Sequence, residues 1–138
     1  MNQSIPSFHD GHLTGIALNA KDAVLTLRGS DEVLYVLTLS GLRALQMNDF
    51  REGNVVSSVK VMTGHAPETY VREQLMPRLF PPPHPAAAPR YEEEYATFIQ
   101  ARLTDLARGV ASLISIESSY GANLAAFCES VEVREATP

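Results

Sequence analysis

The sequence holds a single cysteine, Cys128, so no disulfide can close within the chain and a reducing compartment is expected. Lysine and arginine form no cluster: the nearest approach is the scatter of arginines between Arg72 and Arg108, and the formal charge is −5. Gripping phosphates takes a basic face, so this excludes nucleic acid as a partner and, for the same reason, an anionic membrane surface. No apolar run approaches the roughly 18–20 residues of a membrane span. The opening Met1-Asn2-Gln3-Ser4-Ile5-Pro6 has neither the basic nor the apolar region of a signal peptide. A Gly-rich phosphate cradle, C-x-x-C, H-E-x-x-H and a Walker lysine are all missing, so no cofactor is predicted. Together these absences predict a cytoplasmic, soluble protein that binds neither nucleic acid nor membrane.

What is present is alternation. At 138 residues, with 45% hydrophobic and 20% charged content, the chain can bury one core and is read as a single domain over 1–138. Through residues 12–63 apolar residues return at every second position between short polar clusters, the pattern of half-buried strands. Strands are predicted at 12–18, 23–28 and 33–39, with turns at 19–22 and 29–32 supplied by Asn, Asp, Gly and Ser. Leu25 and Leu27 share one face of the second strand. The third is apolar on both faces and rich in β-branched and aromatic residues, which predicts a central place in its sheet. Over 40–50, Gly41 reads as a bulge that bends this strand onward through Leu45 and Met47; a short helical turn through Leu39, Leu42 and Leu45 is the alternative. Residues 48–54 read as a connecting turn with one buried aromatic, Phe50, and 55–63 as a strand with Val55, Val59 and Val61 on one face.

The pattern changes at Pro67, which suits a helix start. Val71 and Leu75 stack on one side of a short helix that Pro77 is expected to stop. Residues 81–89 form a Pro-rich loop expected to favour polyproline II. Helical spacing follows over 91–108 through Tyr91, Tyr95, Phe98, Leu103 and Leu106, with Glu92, Glu93 and Glu94 in the first turn and Gly109 as a stop. Val110, Ser112, Ile114 and Ile116 alternate again, 118–121 reads as a turn, and 123–133 as a last strand, its alanines permitting a helix instead. The predicted fold class is α+β: a mainly antiparallel sheet of five to seven strands with one or two helices packed on one face.

Functional residue types are densest at His9-Asp10-Gly11-His12. Two imidazoles and a carboxylate make a metal or acid–base site only if they converge. In an extended strand His9 and His12 point apart, so convergence needs a kink that Gly11 would supply. The simpler reading has Phe8 anchor the first strand while His9 and Asp10 bond local backbone. His65 and His84 lie in loops near prolines and read as solvated. Ser118-Ser119-Tyr120-Gly121 lacks the glycine pair of a nucleophile elbow, and no histidine follows it, so a hairpin turn with Gly121 at positive φ is expected. Cys128, among Ala, Leu and Phe, reads as a small buried hydrophobe. Adjacent helical positions project about 100° apart, so Glu92, Glu93 and Glu94 do not share a face.

Two stretches carry a resemblance. Phe8-His9-Asp10-Gly11-His12-Leu13 with Phe50-Arg51-Glu52-Gly53-Asn54-Val55 downstream, and Ser119-Tyr120-Gly121-Ala122 leading to Ala126-Phe127-Cys128, are similar to a group of small, uncharacterised bacterial proteins. Small acidic α+β proteins of this kind resemble immunity proteins that neutralise toxins between bacteria. The resemblance implies a bacterial cytoplasmic protein that binds another protein, and it brings no catalytic residues. The expectation from sequence is thus a non-enzymatic interaction module, with His9, Asp10, His12 and Tyr120 as the candidate functional cluster. A small-ligand or metal-dependent enzyme built on His9, Asp10 and His12 is the alternative. A third reading is a structural subunit that dimerises through an uncapped sheet edge.

Overall fold

The structure, a computed structural model, describes residues 5–136. Eight strands appear: β1 (His12–Asn19), β2 (Asp22–Arg28), β3 (Leu34–Ser40), β4 (Ala44–Asn48), β5 (Asn54–Met62), β6 (Ser112–Tyr120), β7 (Asn123–Cys128) and β8 (Ser130–Glu135). Between β5 and β6 a π-helical turn over Val71–Leu75 runs into α1 (Met76–Leu79), followed by α2 (Pro89–Arg108). The fold is α+β, with a single antiparallel sheet in the order β4-β7-β6-β5-β1-β2-β3-β8.

That order closes on itself. Its two outermost strands are each a short step in the chain from a partner at the opposite end: residues 41–43 join β3 to β4, and Glu129 alone joins β7 to β8. β3 pairs with β8 up to Ser40↔Ser130, and β4 pairs with β7 from Ala44↔Phe127. Across the corner the Glu129 N–H donates to the Ser40 carbonyl and the Arg43 N–H to the Phe127 carbonyl, both at 2.9 Å. β3–β4 and β7–β8 are therefore one bent ribbon whose halves sit at opposite ends of the strand order, which curls the sheet into a barrel. Gly41 turns the corner at φ +64, a left-handed conformation that glycine adopts without strain.

Two apolar clusters follow from the alternation of side chains along each strand. Leu13, Leu25, Leu27, Leu37, Leu39, Ile114, Ile116, Leu124 and Cys128 form the first, with Phe8 seated among them and its ring edge-on to Tyr35 at 5.2 Å. The opposite parity of β6 and β7 puts Leu113, Ala125 and Phe127 in the second cluster, with Val71, Leu75, Met76, Leu79, Leu103 and Leu106 from the helical segment.

Several expectations need correction. Eight strands replace five to seven, because 40–50 is not a bulged extension of β3 and 123–133 is not one strand. At Gly41 and at Glu129 the ribbon turns its corner, and each stretch yields a separate strand. β3 stands next to last in the strand order, not at its centre; the strands buried on both faces are β6, over Ser112–Ile116, and β7, over Leu124–Cys128. In β5 the buried valine is Val56, not Val55: the register with β6 shifts at Val55/Val56 and Val56/Ser58, and the extra residue Ser57 inverts the parity before Val59. Pro77 does not stop its helix. The Met76 N–H closes the wide turn onto the Val71 carbonyl, and Pro77 occupies the first turn of α1, where its missing N–H costs nothing. The Pro-rich loop ends one residue early, since Pro89 is the first residue of α2. Phe50 and Val110 are exposed. Asn19 and Asp22 belong to strands around a two-residue turn, and β6 runs on through Tyr120 so that Gly121, at φ +92, makes the reversal.

Candidate functional site

The Phe8–Leu13 stretch is a tight turn leading into β1. The Gly11 N–H donates to the Phe8 carbonyl at 2.7 Å, and the Asp10 N–H and Gly11 carbonyl both bond Val56, at 2.9 and 2.8 Å. Asp10 takes φ +62, tolerable for a short polar side chain. A Cβ on Gly11 would lie 2.6 Å from the Arg28 carbonyl, so only glycine lets the turn press against β2. The turn parts the predicted cluster. His9 Nδ1 donates to the Ser57 carbonyl at 3.3 Å while its Nε2 lies 3.5 Å from Asp10 Oδ2; both side chains are about seven-tenths exposed (71% and 72%). His12 faces elsewhere, lining a concavity of ≈ 490 Å³ with Arg28, Phe50, Arg51 and Glu52. Among the described residues no group of three or more His, Cys, Asp or Glu could hold a metal ion.

The residue that ties these segments together is Asn54, fully buried at the start of β5. Its Oδ1 accepts from the Arg51 N–H at 2.8 Å and from the Ala122 N–H at 3.0 Å, and its Nδ2 donates to the Leu13 carbonyl at 3.2 Å. One amide thereby joins the Phe8–Leu13 turn, the 49–53 loop and the Gly121 turn, the stretches that carried the sequence resemblance. Gly121 is fixed by the same contact, because a Cβ there would collide with Asn54 Oδ1. Each buried amide group has a partner, which is what makes a buried asparagine sustainable.

Around this buried knot the surface is aromatic and carries paired charges. Phe50 is 45% exposed and Tyr120 52%, and the Arg51 guanidinium lies 5.8 Å from the Tyr120 ring centre. Arg51 Nε also donates to Asp49 Oδ1 at 2.8 Å, and this bond, seconded by Tyr120, tightens the guanidinium's hold on its proton. Arg28, on the other side of the concavity, lies 3.6 Å from Glu32. The structure thus brings His12 and Tyr120 to one patch through Arg51 and leaves His9 and Asp10 outside it. Sequence reasoning missed Phe50, Arg51 and Asn54 as site residues, although the stretch containing them was singled out.

The remaining candidates are committed to structure. Ser118 Oγ donates to the Ala122 carbonyl, and Ser119 Oγ to the Val55 carbonyl at 3.4 Å, so neither is poised as a nucleophile. Cys128 is fully buried, and burial pushes its thiol from 9.0 up to about 12. His65 and His84 are exposed, as are Glu92, Glu93 and Glu94. A concavity of ≈ 530 Å³ between β5 and β8 holds none of the predicted site residues. Among the described residues no helix is long and apolar enough to cross a membrane.

Comparison with known proteins returned no matching family model, no matching curated protein and no matching solved structure. The class the fold defines is an α+β protein with a closed antiparallel sheet, and its exposed patch is built over Asn54.

Proposed function

We propose that this chain acts by binding another protein, through the patch of Phe50, Arg51 and Tyr120 beside the concavity lined by His12. One observation carries the reading: two half-exposed aromatics and a guanidinium sit together above a fully hydrogen-bonded, buried amide. Aromatic residues and arginine are enriched at the centres of protein interfaces, where they bury large areas with few freely rotating bonds. A backbone held from beneath spares the partner the cost of ordering it. The net charge of −5 favours a partner with a basic surface, drawn in by the long-range field and fitted by the patch. An immunity-like role, in which this chain covers a bacterial toxin in the cytoplasm, fits the reading and the sequence resemblance.

Affinity capture from the native host, with the wild-type chain and the double variant Phe50→Ala/Tyr120→Ala in parallel, tests it. A protein retained by the wild type is expected to bind the double variant at least tenfold more weakly, about 1.4 kcal/mol or more. Phe98→Ala, on α2, is expected to leave binding intact. Equal retention by the double variant, or no captured protein under any condition, refutes the proposal.

A further inference from the structure

We propose that a second copy of this chain pairs with the first along the free edge of β1, in a register centred on Ala17. β1 meets β5 only at His12 and Leu13, whereas Gly15 to Asn19 pair with β2 on one side alone. Asn19↔Asp22 flanks a two-residue turn and is the hydrogen-bonded pair of the hairpin. Hydrogen-bonded pairs alternate along the ladder, so Ala17 and Gly15 also aim their backbone groups at β2. Ile16 and Leu18 aim theirs outward, where none of the described residues meets them.

An edge of this kind accepts only an extended backbone, and natural proteins defend such edges with charge, proline or a short strand. The other outer strands carry such defences. β8 carries Glu132, Arg134 and Glu135, and β4 lies against α1, whose Arg78 bonds Gln46 at 2.8 Å. Thr14-Gly15-Ile16-Ala17-Leu18-Asn19 has no charge and no proline, and Leu18 is 67% exposed.

The identity of the partner strand follows from self-complementarity. With Ala17 opposite its twin across a two-fold axis, Ile16 of each copy stands opposite Leu18 of the other. Those are the two residues whose donors and acceptors point outward, so every free group on both edges is satisfied. The same register sets Ile beside Leu on one face, an apolar cross-strand pair, and leaves only Gly15, Ala17 and Asn19 on the other. Because the segment is uncharged, no like charges meet across the pair. The contact is smaller than the roughly 1,200 Å² of a standard interface, so association is concentration-dependent. This surface is distinct from Phe50, Arg51 and Tyr120 and does not rest on their role.

Sedimentation equilibrium of the full chain, from low micromolar to millimolar, tests the proposal together with amide exchange at Ile16 and Leu18. The wild type is expected to approach dimer mass as those two amides slow. Leu18→Lys sets a charge against the apolar pair, and Leu18→Pro removes one outward N–H without touching the β2 ladder. Each is expected to weaken dimerisation at least tenfold, while Val110→Lys, at another exposed site, leaves it unchanged. A wild type of monomer mass throughout overturns the proposal, as does a dimer that survives both substitutions at Leu18. So do Ile16 and Leu18 amides that slow only when a different protein is added, since that protein is then the occupant.

Discussion

At the scale of single residues, Asn54 matters most. It stands in a loop-like Glu-Gly-Asn stretch, where asparagine ordinarily bonds its own backbone in water. Nothing in the sequence distinguishes that role from a buried one, so the centre of the site was not legible. The turns around it were partly legible, as the positive φ of Gly121 shows. Asn54→Ala strands the Arg51 and Ala122 N–H groups and the Leu13 carbonyl. It is expected to cost about 3 kcal/mol or more, read as a lowered urea midpoint at an unchanged slope. Cys128 was read correctly as a core residue, and its burial has a pH signature. The unfolded chain releases the thiol proton near 9.0 and the folded chain near 12. Between those values the unfolded state binds fewer protons, so the contribution of Cys128 is full below about 9 and falls as pH rises toward 12. Denaturation of the wild type against Cys128→Ala across that window is expected to show the steeper alkaline loss in the wild type.

Among the elements, the β1–β2–β3 meander was the most legible, because one face is buried and alternation registers it directly. α2 was legible too, from its spacing and from its stop at Gly109 with φ +78, although Pro89, read as loop, is the residue that opens it. Its helical stripe, however, is covered unevenly. Leu103 and Leu106 are buried near its end, while Tyr91 and Phe98 are 43% and 40% exposed. Phe98 still touches Phe80, ring centres 5.1 Å apart. Leu106→Ala is expected to cost about 2–4 kcal/mol, and Phe98→Ala less than about 1 kcal/mol, in chemical denaturation. The π-helical turn before α1 was invisible in the sequence, since Pro77 signals a stop wherever the preceding turn keeps its usual width.

For the whole molecule, the α+β class and the antiparallel sheet could be read from strand periodicity, but the closure could not. Alternation says that a segment is a strand; it does not name the neighbour. The ribbon turns its corner through Gly41, Leu42 and Arg43 on one side and Glu129 on the other, too little punctuation to announce that the chain has moved to the opposite end of the sheet. The helical stretch, by contrast, is an excursion that departs and returns at a single spot. Met62 pairs with Leu113, Thr63 Oγ1 donates to the Ala111 carbonyl at 2.7 Å, and the Gly64 N–H to the Leu106 carbonyl at 2.8 Å. Every rung of the ladder except Ser112↔Cys128 survives on paper if a tight reversal splices Met62 to Leu113. Such a trimmed chain keeps its staves and loses its roof, leaving Leu113, Ala125 and Phe127 bare to water; a minimal version of this protein has to repaint those three in polar colours before it will stay in solution.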